Sequence, residues 1–371
     1  PPLESLDLYI EKSGEEIVGQ LYNFTDKGGR EVSMRPEMTP SLARILGDRS
    51  RGMPKPIRWF AIPQLFRYER QQRGRLREHF QWNVDIVGED DEAADAEVLA
   101  VALDALRGFG LGADDIRARV SDRRLLAALL GEIGVAEEAL SGAYAVIDKV
   151  ERAPREKSLD RLTSEVGLDT PVAERLLGLF DDPSLDRIRG EFGTAESVAP
   201  HLERLDRYLS TLTAMGLGDF VEFDLTIVRG LAYYTGIVFE VFDRAGEFRA
   251  ICGGGRYDRL LELVGGESLG AVGFGMGDVV LGELLAERGL LPDTAHRSDY
   301  FIVMIGGETR DAALSLARRL RDAGRSVAYA LRGSSVRKQF KAAENEGARE
   351  VVVIGPDELA EGVGVVRDMA S

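Results

Sequence analysis

Val228-Arg229-Gly230-Leu231-Ala232-Tyr233-Tyr234-Thr235-Gly236-Ile237-Val238-Phe239-Glu240 is the stretch on which the reading of this chain turns. One arginine, two tyrosines and two glycines stand between apolar, β-branched segments, so a polar elbow is held by strands on either side. Taken alone, the tyrosine pair is ordinary core or hairpin filling. Its neighbours give it meaning. Strand texture continues through Val221–Val228, Ile237–Phe242 and Arg249–Cys252, broken by glycine-containing turns, which is antiparallel β texture. Next comes Cys252-Gly253-Gly254-Gly255-Arg256-Tyr257-Asp258, whose three glycines either let backbone approach a ligand or make a turn. Gly273-Phe274-Gly275-Met276-Gly277-Asp278 resembles a dinucleotide loop only loosely, because the sixth position is not glycine.

Upstream, Phe66-Arg67-Tyr68-Glu69-Arg70 leads through Gln71-Gln72-Arg73-Gly74-Arg75-Leu76-Arg77 into the strand Phe80–Val87. Strand, basic loop and returning strand make a hairpin. Arg67 and Glu69 share one strand face, where a guanidinium can grip a phosphate and a carboxylate can accept from an amino group. The plain alternative is a solvated ion pair. Ile57–Ile62 and Ile116–Val120 read as further strands, and Glu92–Gly108 and Leu202–Met215 as helices. From Arg123 to Glu196 the texture is helical and leucine-rich, broken at Pro154, Pro171 and Pro183. Beyond Pro292 and a polar linker, strands at 300–305, 326–331 and 350–354 alternate with helices at 310–323 and 335–346, a βαβ pattern that predicts a parallel sheet.

Composition bounds what such a chain can be. Its 371 residues suffice for two or three domains, and 44% hydrophobic with 30% charged residues is globular. No apolar run of about 18 residues suggests a membrane span, and no signal segment opens the sequence. Cys252 is the single cysteine, so no intrachain disulfide forms, and a cytoplasmic setting is expected. The net charge of −16 opposes a nucleic-acid partner in general. Positive charge is nevertheless dense at Arg67, Arg70, Arg73, Arg75 and Arg77, and an acidic, lysine-poor surface suits a salt-rich cytoplasm, where screening cuts electrostatic reach to about 3 Å at 1 M salt. His79, His201 and His296 lack metal-ligand spacing, so no metal site is expected.

Taken together, these segments resemble the histidyl-tRNA synthetases over essentially the whole chain. Arg67-x-Glu69 and its arginine-rich loop look like class II motif 2, and the Arg229 run and Gly254-Gly255-Arg256-Tyr257-Asp258 like the two histidine-specific signatures. Arg35-Pro36-Glu37-Met38-Thr39 looks like the family's amino-acid-binding loop. The resemblance implies an α+β chain. A class II antiparallel sheet flanked by helices would occupy 1–122 and 197–292, a helical insertion 123–196, and an α/β anticodon-binding domain 299–371. It also implies roles. Glu37, Thr39 and Gln81 would hold the amino group of histidine; Asp85 and Tyr234 would bond the imidazole, with Tyr233 and Tyr257 lining the same pocket. Arg67 and Arg229 would be catalytic, clamping the α-phosphate of ATP. Glu69 would read adenine, Arg75 and Arg77 would meet the outer phosphates, and Mg²⁺ would accompany the triphosphate. The implied partners are L-histidine, tRNA(His) and a second copy in a homodimer.

The sequence departs from the family pattern in three places. Val280 stands where motif 3 carries an arginine, and Arg256 is the expected substitute; Asp85 stands where a glutamate is usual. The chain also begins at what looks like the closing proline of motif 1, Pro1, and its last domain looks cut short near Ser371. Val280 leaves open a rival of another class, a regulatory paralogue of ATP-phosphoribosyltransferase that binds histidine without acylating tRNA.

Overall fold

The strand Glu78–Val87 organises the first unit of the fold. Its even residues Trp82, Val84 and Ile86 point into the main core, and its odd residues Gln81, Asn83 and Asp85 point the other way. The protein is described from a computed structural model covering residues 1–371 except 14, 69–73, 151, 229–233, 264–265, 293–296 and 370–371. It divides into two compact units, Pro1–Leu291 and Pro292–Ser371.

In the first unit an eight-stranded sheet runs in the order Ile57–Ala61, Glu78–Val87, Ala271–Gly277, Cys252–Arg256, Ile237–Asp243, Ile116–Asp122, Val221–Phe223, with Gln64–Phe66 also paired to Glu78–Val87. Neighbours are antiparallel except Ile116–Asp122 and Val221–Phe223, which are parallel. The helix Glu92–Gly108 covers the core face. It starts where the Asp91 carboxylate accepts from Ala93 N at 2.8 Å, a cap worth about 1 kcal/mol. Val98, Leu99, Ala102, Leu103 and Leu106 are wholly buried there against Ile86, Val272, Phe274 and Met276. Each buried Leu or Val contributes roughly 1.5–3 kcal/mol.

Helices Arg123–Ile133, Leu140–Ile147, Arg155–Ser164, Thr170–Gly178 and Leu185–Phe192 follow the strand Ile116–Asp122, as their leucine spacing predicts. The first is capped by Asp122, which accepts from Arg124 N, and ends on Gly134 at φ +104°. Leu125, Leu129, Leu162, Leu176 and Ile188 from these helices join the same core as the sheet.

Local chemistry moved several boundaries. The strand expected over Val221–Val228 stops at Phe223, because the Asp224 carboxylate accepts from the backbone N and hydroxyl of Thr226 and turns the chain. The expected strand Arg249–Cys252 lies further on, at Cys252–Arg256. The glycine run is neither loop nor turn but a central strand, paired on both sides. Gly273–Asp278 likewise belongs mostly to the strand Ala271–Gly277. In the hairpin, Arg67 lies just beyond the strand Gln64–Phe66, and its backbone N donates to Arg77 O at 2.8 Å; Glu69 is outside the described residues. A three-stranded antiparallel sheet of Leu3–Ser5, Glu31–Met34 and Asn23–Thr25 was not anticipated, since such short strands show no periodicity.

The second unit is a four-stranded sheet ordered Val327–Tyr329, Tyr300–Met304, Glu350–Ile354, Val365–Asp368. The first three are parallel, as the alternation with helices requires, and the fourth is an antiparallel edge. The Gln339 amide bonds both N and O of Met304, tying the helix Val336–Asn345 to the central strand.

Candidate active site

Strand register builds the site before any motif does. Asp85 lies opposite Gly273, which lies opposite Gly255; Asn83 lies opposite Gly275, which lies opposite Gly253; Gln81 lies opposite Gly277. Residues directly opposite in an antiparallel ladder project to the same side. Three polar side chains therefore lean over a floor that has none of its own. The floor must be glycine: a Cβ on Gly273 would stand 2.1 Å from Asp85 Oδ1, and one on Gly275 would stand 2.8 Å from Gln81 Cδ.

Over this floor lies a cavity of about 130 Å³, lined by Glu37, Thr39, Arg67, Gln81, Asn83, Asp85, Tyr234 and Tyr257 with Gly253, Gly273, Phe274 and Gly275. It brings together seven residues singled out from the sequence: Glu37, Thr39, Arg67, Gln81, Asp85, Tyr234 and Tyr257. Arg229, Tyr233 and Glu69 lie outside the described residues. Thr39 opens the helix Thr39–Arg49, with Glu37 just ahead of it, and Arg67 Nε donates to Pro36 O at 3.1 Å, joining that loop to the hairpin. Asn83 was missed, although its odd position between Gln81 and Asp85 put it on the same face. It is buried, and its Nδ2 donates to Gln81 O at 3.0 Å.

Asp85 and Tyr257 are buried, and the Tyr257 hydroxyl donates to the Asp85 carboxylate. Burial disfavours the charged carboxylate and pushes its pKa up from 3.8 to about 7; the tyrosine hydrogen bond offsets only part of this. The end of the cavity near Asp85 therefore holds a group that titrates near neutrality.

A second cavity of about 220 Å³ adjoins the first and shares Arg67, Gln81, Gly253 and Gly275 with it. Its other walls include Gly74, Arg75, His79, Arg249, Ile251, Cys252, Val279 and Val280. Three arginines and a histidine line it, and among the described residues no carboxylate does. In a chain with 63 acidic against 47 basic residues, that local excess of positive charge among the described residues suits an anionic ligand. Arg67 stands where the two cavities meet.

Two of the arginines expected at the ATP site lie outside both cavities. Arg256 lines neither cavity. Position 256 is even, so its side chain enters the core face beside the helix Glu92–Gly108 and is 2% exposed. Its Nε donates to both Asp95 oxygens at 3.0–3.1 Å, Nη2 to Asp95 and Asp91 O, and Nη1 to Glu89 O and Asp258. A guanidinium so occupied has nothing left for a nucleotide. Arg256→Met should cost about 3–5 kcal/mol of stability by leaving Asp95 buried without its cation, read as a shift in urea unfolding. A loss below about 1 kcal/mol would mean that the pair is dispensable. Arg77 also stays out of both cavities, its guanidinium 4.5 Å above the ring of Tyr68.

Among the described residues, no group of three or more His, Cys, Asp or Glu is placed to hold a metal ion. No described helix is long and apolar enough to cross a membrane.

Comparison with known proteins agrees with this geometry. Residues 1–277 match the family model for histidyl-tRNA synthetase, and residues 299–371 match the anticodon binding domain. Curated relatives named histidine–tRNA ligase include one from Opitutus terrae, 43% identical over all of this chain and 85% of its own length. Another, from Halobacterium salinarum, is 40% identical with the same coverage. Among solved structures, a histidyl-tRNA synthetase from Nostoc superposes with a TM-score of 0.81 at 23% identity, covering 100% of this chain and 86% of its own. A Bacillus halodurans protein described as an ATP phosphoribosyltransferase regulatory subunit/histidyl-tRNA synthetase gives 0.77 at 24%, covering 96% of this chain and 88% of its own. The α+β architecture is thus the class II synthetase fold, and the chain belongs to the histidyl-tRNA synthetase family.

Proposed function

We infer that this chain is a histidine–tRNA ligase that activates L-histidine with ATP and esterifies it to tRNA(His). The carrying observation is the pair of adjoining cavities of opposite character. One offers Glu37 and Asp85, the other three arginines with no carboxylate among the described residues, and Arg67 stands at their junction.

In this reading Glu37, Thr39 and Gln81 take the ammonium group, while Asp85 and Tyr234 take the ring. Tyr257 holds Asp85 in place. Asn83 joins this wall. Arg67 bridges the substrate carboxylate and the α-phosphate, with Arg229 as its companion, and Arg75 meets the outer phosphates. Glu69 would read adenine. The carboxylate of histidine is already a nucleophile at neutral pH, so adenylation needs positioning and charge compensation rather than a general base. Its oxygen attacks the α-phosphorus, pyrophosphate leaves, and histidyl-adenylate forms. A terminal ribose hydroxyl of tRNA then attacks the carbonyl carbon and AMP departs. Mg²⁺ would arrive with ATP, held chiefly by the phosphates, as is usual for this ion.

A pocket that bonds both ring nitrogens rejects isosteres by roughly 10⁴-fold or more, since a mismatch strands buried polar groups. The domains proposed are a catalytic body of 1–122 and 197–292, a helical insertion of 123–196, and 299–371 as the tRNA anticodon reader; a homodimer in the cytoplasm completes the reading.

The test is exchange of labelled pyrophosphate into ATP, at low and molar salt, with histidine against other amino acids. Exchange with histidine alone, abolished in Arg229→Ala, is the expected result. Histidine binding without exchange at any salt would favour the regulatory paralogue, the reading that Val280 leaves open.

A further inference from the structure

One cation of the second cavity has no task in the scheme above. Arg249 lies between the strands Ile237–Asp243 and Cys252–Arg256 and is exposed. It makes no hydrogen bond or ion pair with the other described residues. The turn that carries it is nonetheless fixed. Asp243, 3% exposed, accepts from Glu247 N and Phe248 N, each at 3.0 Å, and Ile251 N donates to Val241 O at 2.7 Å. A firmly held backbone thus delivers a guanidinium with no partner among the described residues to a wall shared with Arg67 and Arg75, where no described carboxylate lies. Like charges that converge on one cleft favour an anion as its occupant.

Its position bears on Val280. A Cβ built on Gly74 would stand 3.3 Å from Val280 Cγ2 and 3.8 Å from Arg249 Cδ, so both side chains border Gly74 on the cavity wall. Val280 lies in the first turn of the helix Asp278–Glu287 and is 8% exposed. Val280 and the stem of Arg249 thus flank the same glycine. Arg256, the other arginine of this region, is spent in the core.

We propose that Arg249 binds the outer phosphates of ATP, supplying from the turn before Cys252–Arg256 the fixed positive charge that Val280 does not supply from its helix. The proposal rests on the reading that the second cavity takes ATP.

Pyrophosphate exchange by the full chain, with ATP titrated at saturating histidine, tests it. Arg249→Ala should raise the KM for ATP about 30-fold, the size expected for one charge-assisted contact. The KM for histidine and the urea midpoint should stay unchanged. Arg249→Lys should recover part of the loss, because charge is kept and the fork is not. Arg249→Ala combined with Val280→Arg should also recover ATP affinity; if that pair fails to fold, the lysine variant still decides. An ATP KM within about threefold of wild type in Arg249→Ala overturns the proposal. So does an equal rise in the histidine KM, which would mark a structural role, or unchanged exchange with impaired tRNA charging, which would assign Arg249 to tRNA. Absence of exchange in the wild-type chain would instead overturn the ATP reading itself.

Discussion

Arg67→Ala is expected to lower kcat/KM for histidine-dependent pyrophosphate exchange by about 10³-fold, the loss typical when a preorganised donor to a developing charge is removed. Among the described residues Arg67 is the one arginine that lines both cavities, and its Nε bond to Pro36 O fixes it between the amino-acid loop and the hairpin. In the reaction, the histidine carboxylate and the α-phosphate are two anions that must come within bonding distance. A non-titrating guanidinium between them offsets the repulsion and orients both. Because Arg67 is only half-buried, the unfolding midpoint should hardly move while activity collapses. A residual activity within tenfold of wild type would show that the reacting atoms do not meet at this junction.

The second large effect concerns Asp85. Asp85→Ala should weaken histidine binding by more than 10²-fold, since a ring nitrogen would be left unpaired in a buried site. The pH dependence is more informative. Free histidine carries a second proton below about pH 6.5, and Asp85 in the empty pocket carries one below about 7. Only one of these two protons can lie between ring and carboxylate, so wild-type affinity should fall roughly tenfold per pH unit once both groups are protonated. In Asp85→Asn the amide does not titrate, and the affinity loss on acidification should be set by the ring alone. The acid limbs of the two profiles coincide, so calorimetric titrations between pH 6 and 9 separate the variants on the basic side: wild-type affinity should fall above about pH 7 as the shared proton is lost, while Asp85→Asn stays flat, and a flat wild-type profile there would show that ring and carboxylate share no proton.

The same shift has a consequence for stability. A carboxyl whose pKa is raised on folding favours the native state while protonated, and that contribution is lost as pH rises towards and through about 7. Without histidine, Asp85→Asn should therefore be more stable than wild type at pH 8, by up to roughly 4 kcal/mol, and the gap should narrow towards pH 5.

Much of the site was legible in the sequence because it is local. Gln81 and Asp85 were identifiable through the family resemblance, as were the Arg67 hairpin, the Glu37 loop and Tyr257 as short motifs, and the alternation of Phe80 to Val87 sets Gln81 and Asp85 on one face. The same alternation marked Asn83, which was passed over because no motif named it. The helix Glu92–Gly108 was readable to its ends, since its acidic start, leucine spacing and Asp91 cap act within a few residues.

What the sequence by itself determined is the family, the order of elements and the inventory of polar groups, all of which depend on neighbours along the chain. Tertiary structure alone decided which of those groups meet. The glycines at 253, 255, 273 and 275 are a floor only because Ala271–Gly277 pairs with Glu78–Val87, nearly two hundred residues earlier, in one particular register. A shift by one residue would turn Asp85 into the core. The same parity sends Arg256 to Asp95, while Arg249, in the turn ahead of that strand, stays at the cavity: two arginines of equal charge, seven positions apart, whose roles are assigned by the burial that each receives.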